Sequence, residues 1–156
     1  MSVFSESDRG MMSSNNDPFD LNRFLLAQAE QYEQALKEIR VGQKESHWMW
    51  YIFPQFNGLG ASAMTRRYSI KSLAEAQAYL AHPLLGPRLL ASVEAVLQHR
   101  NKSGSEIFGY PDDLKLHSSA TLFAAVSSTD SVFHRLLEQC FEGACDSRTL
   151  RLIQQN

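Results

Sequence analysis

The sequence predicts an all-α fold, an irregular compact bundle of about six to seven helices. Helix-capping signals recur along the chain after residue 17, as serine, aspartate and glycine residues at the ends of apolar stretches. Between these signals the apolar residues follow the spacing of a helix with one buried face. No two segments show the strict alternation and turn residues that are typical of a strand pair.

The length of 156 residues is sufficient for one domain with a substantial core. Residues 1–16 are rich in serine and asparagine and have no apolar periodicity, which predicts a disordered N-terminal tail. Residues 17–156 are therefore predicted to form a single all-α domain.

The first predicted helix begins near Leu21, with Asp20 as its N-cap, and continues to Ile39. Its apolar positions fall on one face, and glutamine and glutamate residues occupy the opposite face. Gly42 follows at the position of a C-cap, where a residue without a Cβ readily adopts a left-handed conformation.

Capping boxes and prolines mark the later helices. Ser72 and Glu75 have capping-box spacing and predict a short helix, after which a longer helix begins near Pro83 or Pro87 and ends near His99. The remaining predicted segments are a single turn opened by Ser103 and Glu106, a helix from about Asp112 to Val126, a helix from Ser131 to Glu142, and a last helix from Ser147 to about Gln155 that is capped by Asp146.

Composition excludes several classes of function. The formal net charge is −2 and the 15 Lys and Arg residues are scattered, so no basic surface for nucleic acid is indicated. No apolar stretch has the length of a signal sequence or a membrane span, which predicts a cytoplasmic protein without membrane association. Cys140 and Cys145 are expected to be free thiols, since a disulfide between them would close a very short loop. Without paired ligand spacings, we expect no metal and no cofactor.

Four blocks of the chain resemble a known family. Residues 47–60 contain His47-Trp-Met-Trp50 and Phe53-Pro-Gln55, and the other blocks occupy residues 79–89, 107–123 and 146–150. Together they resemble an uncharacterised, mainly bacterial family whose members have often been labelled "calpastatin". The resemblance covers about residues 19–153 and implies a compact helical domain without an established activity.

A weaker resemblance links the chain to a compact α-helical group of N-glycosidases that act on riboflavin-pathway intermediates and ADP-ribose-like substrates. The shared features are tryptophans, acidic residues and a leucine-glycine-arginine element. This resemblance implies a nucleotide-like ligand by fold-level analogy, and it assigns a catalytic role to no residue.

The first candidate site is the segment that holds both tryptophans, Trp48 and Trp50. If this segment is helical, Lys44, His47 and Trp48 share one face. A planar ring would then stack on a tryptophan while Lys44, Glu45 and His47 hold its polar edge. The alternative is that the aromatic residues are core anchors and that Lys44 and Glu45 are solvated.

The second candidate site is a polar stripe on the helix that follows Pro111. Lys115, Ser118 and Ser119 share a face at helical spacing. Because adjacent serines are unfavourable inside a helix, we expect a compensating partner, either a ligand phosphate or a closely packed helix. Arg88 is a further candidate for an anion at the pocket mouth.

The sequence therefore predicts a protein that binds a small nucleotide-like or phosphorylated ligand in an aromatic-lined pocket. Hydrolysis of an N-glycosidic bond is a conditional prediction, with Glu45 as the first and Asp112 as the second candidate carboxylate. The alternative is a protein–protein interaction or scaffold module without catalysis, which requires an exposed apolar patch.

Overall fold

The computed structural model describes residues 16–155, and these residues form ten helices. The all-α prediction is confirmed, since the β-type pairing in this range is a single bridge between Phe56 and Ile70. The predicted tail lies outside the described residues except for Asn16. The helices are α1 (Asn22–Gln28), α2 (Tyr32–Val41), α3 (Met49–Ile52), α4 (Ala63–Tyr68), α5 (Leu73–Ala81), α6 (Leu85–Leu97), α7 (Gly104–Phe108), α8 (Asp112–Ala125), α9 (Val132–Phe141) and α10 (Ser147–Gln154).

Two longer helices, α6 and α8, lie at the centre of the fold. Helix α6 packs against α2, α5 and α9, and α8 packs against α5, α7, α9 and α10. The largest fully buried side chains include Trp48, Tyr79 and Phe24. The rings of Phe24 and Tyr79 pack edge to face with centroids 5.0 Å apart. Large rigid side chains thus fill a core that is built mostly from short helices.

The aromatic segment that follows α2 belongs to this core. It forms a single helical turn, α3, before Pro54. Trp48 is fully buried, Phe53 is 1% exposed, and both rings pack edge to face on Phe108 at centroid distances of 6.2 and 5.7 Å. Apolar periodicity leaves helix and strand undecided for so short a run, and the packing against α7 selects the helical turn.

The first predicted helix is two helices in the structure. Helix α1 ends at Gln28, and α2 begins at Tyr32 after a turn. The side chain of Gln28 is 1% exposed, and its Nε2 donates to the carbonyl of Tyr51 at 2.7 Å and to Tyr79 Oη at 3.1 Å. These partners fix the end of α1 against α3 and α5, and such distant contacts leave no trace in local periodicity.

The N-cap prediction at Asp20 is wrong. Asp20 has a φ of 54°, and the carboxylate of Asp17 accepts instead from the amides of Leu21 at 2.7 Å and Asn22 at 2.9 Å. A carboxylate four residues upstream can satisfy both amides because each of its oxygens accepts separately. The predicted C-cap at Gly42 is confirmed, with a φ of 93°.

The other capping predictions hold with one change. The Ser103–Glu106 capping box is complete, and the Asp146 carboxylate accepts from the amide of Thr149. Ser72 accepts from the amide of Glu75 as predicted. The Glu75 carboxylate, however, accepts from the Lys71 amide at 2.8 Å and from the Arg23 guanidinium at 2.7 Å. This glutamate is a buried ion-pair partner in addition to its place in the first turn of α5.

Gly86 sets the close approach of α5 and α6. A Cβ at this position would lie 2.1 Å from the carbonyl oxygen of Leu80. We expect Gly86→Ala to lower the free energy of unfolding by about 1–3 kcal/mol, because the backbone must shift to relieve this overlap. Urea-induced unfolding followed by circular dichroism measures the change.

Gly104→Ala is the matched control for this prediction. Gly104 is also buried in a helix, but a Cβ there would meet its nearest atom, Phe141 Cζ, at 3.7 Å. We expect no loss of stability, since alanine is the better helix former. Equal destabilisation by both substitutions would show that the contact with Leu80 does not limit the packing.

Within residues 16–155, no helix is long and apolar enough to cross a membrane. The same range contains no group of three or more His, Cys, Asp or Glu side chains arranged to hold a metal ion. Cys140 and Cys145 are free thiols, as predicted. Cys140 is half-buried, and this burial raises the pKa of its thiol.

Candidate functional site

The two predicted site segments meet in the structure. The ammonium of Lys44 lies 2.8 Å from Asp112 Oδ2, and the ammonium of Lys115 lies 3.7 Å from Asp112 Oδ1. Each lysine also lies over a tryptophan ring, Lys44 over Trp48 at 4.9 Å and Lys115 over Trp50 at 5.1 Å from the centroid. Lys44, Asp112 and Lys115 together carry one positive charge. The faces of the two tryptophan rings attract the lysine ammonium groups and so stabilise this charge.

Glu38 on α2 holds the first of these segments in place. Its Oε1 accepts from the amides of Glu45 and Ser46 and from the indole of Trp48, each at 2.9 Å. Its Oε2 accepts from Gln34 at 2.8 Å and from the Ser46 hydroxyl at 2.5 Å. Burial alone would raise the pKa of Glu38, but the hydrogen bonds from Ser46, Gln34 and Glu45 lower it to about 2. The sequence analysis did not single out this residue.

Burial separates the residues of the first candidate site. Trp48 is fully buried and belongs to the core, whereas Trp50 is half-buried. Glu45 and His47 are exposed. The interpretation of Lys44 as a solvated side chain also fails, since its side chain is 6% exposed. The hydrogen bonds to Glu38 produce this arrangement, because they draw the Trp48 indole inward.

A polar cleft lies beside Lys115, with a volume of about 350 Å³. It is bounded by the loop before α4, the start of α4, the first half of α8 and the start of α10. The lining residues are Gln55, Leu59, Gly60, Thr65, Pro111, Leu114, Lys115, His117, Ser118, Asp146 and Arg148. The cleft thus contains two predicted site residues, Lys115 and Ser118, and neither tryptophan.

Lys115 is a cation of this cleft with few polar contacts. Its side chain is 25% exposed, and its contact with Asp112 at 3.7 Å is longer than a hydrogen bond. Within residues 16–155, its ammonium makes no hydrogen bond. Asp112 interacts more closely with Lys44, at 2.8 Å. Lys115 therefore retains hydrogen-bond donors for a ligand in the cleft.

Asp146 supplies the carboxylate of the cleft. Its Oδ2 accepts from the Ser118 hydroxyl at 3.2 Å, the Thr149 amide at 3.1 Å and the Thr149 hydroxyl at 2.5 Å. Its own amide donates to Thr121 Oγ1 at 2.8 Å. Within the part of the chain that is described, Oδ1 makes no hydrogen bond. The helix cap thus holds one oxygen and leaves the other available.

The loop opposite α8 owes its shape to a glycine and to α10. Gly58 has a φ of 106°, which disfavours any residue with a Cβ, and such a Cβ would also lie 3.1 Å from Leu152 Cδ2. Arg148 Nη2 donates to the carbonyl of Leu59 at 3.1 Å. The loop and the first turn of α10 are thereby joined across the cleft.

Two other predicted site residues lie elsewhere. Ser119 is 1% exposed and lies in the interior, which agrees with the alternative of close helix packing. Arg88 on α6 donates to Gln28 Oε1 at 3.2 Å and lies over the Tyr32 ring at 4.9 Å. It therefore contacts α1 and α2, and it is not among the residues that line the cleft.

Five polar residues of the cleft were missed by the sequence analysis as site residues. They are Gln55, Thr65, His117, Asp146 and Arg148. Asp146 was recognised as a helix cap and as part of the fourth resembling block, and this double signal could have marked it. Gln55 also lies in a resembling block, after Pro54, whereas Thr65 and Arg148 carry no motif.

A family model described as "Protein of unknown function (DUF1810)" matches residues 18–153. The chain belongs to the DUF1810 family. The match agrees with the expected resemblance to a family of unknown function. It gives no support to the "calpastatin" label or to the resemblance to N-glycosidases.

This DUF1810 protein is also similar to a solved structure. The crystal structure of the conserved hypothetical protein Rv1873 from Mycobacterium tuberculosis superposes with a TM-score of 0.86 and 51% sequence identity. The alignment covers 88% of this chain and 99% of that chain. The search of curated proteins gives no match. A functional assignment for this DUF1810 protein therefore rests on the chemistry of the cleft.

Proposed function

We propose that this protein binds a small phosphorylated or nucleotide-like molecule in the cleft between α8, α10 and the loop before α4. The observation that carries the proposal is the position of Lys115, which lines the cleft and whose ammonium makes no hydrogen bond within residues 16–155. An anionic group at this point would accept charge-assisted hydrogen bonds, which are about twice as strong as neutral ones.

The charges around the cleft support an anionic ligand. The Lys44–Asp112–Lys115 group carries one net positive charge, and in the cleft lining the charge of Arg148 is offset by that of Asp146, so one positive charge remains. The Asp112 carboxylate is shared between two ammonium groups, so it neutralises Lys115 only in part. A phosphate seated between Lys115 and Arg148 would balance the excess charge.

The size of the cleft supports a small ligand. A volume of about 350 Å³ is near the lower end of ordinary ligand sites. The apolar lining consists of Leu59, Pro111 and Leu114. The predicted aromatic wall is absent from the cleft because Trp48 is in the core and Trp50 lies beneath Lys115. A nucleotide-like ligand would therefore place its ring against aliphatic side chains.

Ligand binding is tested by titrating the protein with a panel of phosphorylated small molecules in a calorimeter. We expect wild type to bind at least one of them and Lys115→Met to weaken that binding by about 10–100-fold, since a hydrogen bond to a charged group is lost. Lys37→Met is the matched control, because Lys37 is an exposed lysine on α2 outside the cleft. Its affinity should equal that of wild type.

Tryptophan fluorescence gives a second readout of the same titration. Lys115 lies 5.1 Å from the Trp50 ring centroid, so an anion that moves the ammonium should change the emission of Trp50. Trp50→Phe should remove this change. Equal affinity of Lys115→Met and wild type for every ligand of the panel would overturn the proposal.

Hydrolysis of an N-glycosidic bond remains a prediction from the sequence. Glu45 is exposed, and Asp112 is engaged with Lys44 and Lys115, so neither carboxylate lines the cleft. The expected role of Glu45 is tested directly with Glu45→Gln and a nucleoside phosphate that binds. Unchanged turnover in this variant would remove Glu45 from the mechanism.

The interaction-module alternative requires an exposed apolar patch, and Trp48, which is fully buried, does not contribute to one. The exposed large apolar side chains include Leu26, Val41 and Tyr110, which lie on separate elements. A partner surface centred on Trp48 is therefore excluded by its burial.

A further inference from the structure

We propose that Asp146 selects the ligand by accepting a hydrogen bond from a hydroxyl group, so that the ligand is a phosphorylated polyol such as a sugar phosphate. This inference rests on the proposed binding of a phosphate at Lys115 and adds a second contact to it. In this arrangement, Lys115 holds the anionic end of the ligand and Asp146 its hydroxyl-bearing end.

The carboxyl group of Asp146 is fixed before any ligand arrives. The amide and hydroxyl of Thr149 donate to its Oδ2, and the Ser118 hydroxyl shares its one hydrogen between this oxygen and the Leu114 carbonyl. The backbone amide of Asp146 is held by Thr121. Because the partners come from both α8 and α10, they restrict the rotation of the carboxylate. A ligand thus meets an acceptor whose direction is already set.

The remaining oxygen of Asp146 is available to accept a hydrogen bond from a ligand. An ionised carboxylate only accepts hydrogen bonds, and Oδ1 has no partner within the described residues. A hydroxyl group is the donor that fits the surroundings. A second anionic group would be repelled by the carboxylate, and an ammonium group would be repelled by the neighbouring Arg148, which lines the same cleft.

Lys115 and Asp146 line the same cleft of about 350 Å³, so one small ligand can contact both side chains. The two residues are linked through α8, since Asp146 Oδ2 lies 3.2 Å from the hydroxyl of Ser118, about one helical turn after Lys115. A pentose phosphate carries a phosphate and several hydroxyl groups in a molecule of this size. Inorganic phosphate would reach only the first contact.

The test compares ribose 5-phosphate with methyl phosphate, which carries the same charge type and no hydroxyl. We expect wild type to bind ribose 5-phosphate about 10-fold more tightly, because an additional hydrogen bond to a charged group contributes on that scale. Asp146→Asn keeps a side chain that caps helices well, so the start of α10 should persist. Isothermal titration measures both ligands on each protein.

Asp146→Asn should reduce the preference for ribose 5-phosphate to about 3-fold or less, with methyl phosphate bound as tightly as by wild type or more tightly. Asp146→Ser, which is an equally good cap, guards against a variant that fails to fold. Melting curves identify the folded variants. Lys115→Met should weaken both ligands together.

The two proposals fail in different ways. An unchanged preference for ribose 5-phosphate in a folded Asp146 variant would overturn the role of Asp146 and leave phosphate binding at Lys115 intact. So would wild-type binding of methyl phosphate that is as tight as that of ribose 5-phosphate. Equal binding of every phosphate by wild type and Lys115→Met would overturn the proposed function, and with it the inference.

Discussion

The Arg23→Met variant is expected to lose about 3–5 kcal/mol of its free energy of unfolding, the largest change we expect. Arg23 and Glu75 form a buried ion pair with 2.7 Å between Nη2 and Oε2, and their side chains are 8% and 2% exposed. Methionine retains the apolar stem of the arginine but leaves the Glu75 carboxylate buried without its cation. For a domain of this size, the midpoint of thermal unfolding should fall by about 10 °C or more.

Four backbone carbonyls also depend on Arg23. Its Nε donates to Arg67 at 2.7 Å, its Nη1 to Phe19 and Asp20 at 2.8 Å each, and its Nη2 to Ser69 at 2.7 Å. The guanidinium therefore joins the chain before α1 to the end of α4 and the start of α5. Its removal leaves these partly buried acceptors without their donor, which adds to the loss.

Arg135→Met is the control for this prediction. Arg135 pairs with Glu94 at 3.5 Å, but the two side chains are 58% and 51% exposed. Such exposed pairs contribute less than about 1 kcal/mol, so the melting temperature should hardly change. If Arg23→Met melted within about 2 °C of Arg135→Met, the buried pair would not be a major source of stability.

The Glu38→Gln variant is expected to lose about 3 kcal/mol at neutral pH. Glu38 is 4% exposed and accepts five hydrogen bonds, three of them from the Ser46 backbone and hydroxyl and the Trp48 indole. The pKa of about 2, against an ordinary value of 4.5, corresponds to a stabilisation on the order of 3 kcal/mol. Glutamine removes the negative charge, and its NH₂ group, which cannot accept a hydrogen bond, faces groups that donated to the Glu38 carboxylate.

The difference between wild type and Glu38→Gln should depend on pH. Because folding lowers the pKa of Glu38, its contribution is complete above the unfolded pKa near 4.5 and is lost as the pH falls toward the folded pKa near 2. The gap between the two proteins should therefore narrow below about pH 4.5. Urea-induced unfolding from neutral pH to about pH 3 measures it.

Glu45→Gln serves as the matched control for Glu38. It is an adjacent glutamate whose side chain is exposed, and only its backbone amide contacts Glu38. Its substitution should change the stability by less than about 0.5 kcal/mol. A constant gap between wild type and Glu38→Gln across the whole pH range would show that the carboxylate charge is not what stabilises the segment.

Much of the fold could be predicted from local signals. The capping box of Ser103 and Glu106 predicts where α7 begins, and Asp146 predicts where α10 begins. Both signals are local, because a cap is formed by residues three positions apart. The break after Gln28 could not be predicted, since it depends on hydrogen bonds to Tyr51 and Tyr79. The hydrogen bonds from Leu21 and Asn22 to Asp17 were missed because this carboxylate lies before the usual capping position.

The candidate site was predicted in part. Lys115 and Ser118 share a helix face by spacing alone, and both line the cleft. Their neighbour Ser119 points to the interior, which the spacing did not distinguish. Arg148 lines the cleft only because α10 packs against α8. No pattern in the sequence predicts this contact between the two helices.

The helical class, most of the caps and the polar stripe of α8 can be predicted from local sequence, because they depend on residues within one or two helical turns of each other. The roles of the aromatic and charged residues depend instead on tertiary contacts. Trp48 packs on Phe53 and Phe108 in the core, where Glu38 accepts the hydrogen bond of its indole N–H, and Asp112 links Lys44 with Lys115. Burial and ion pairing depend on groups that are distant in the chain, and a single sequence does not specify which of those groups will meet.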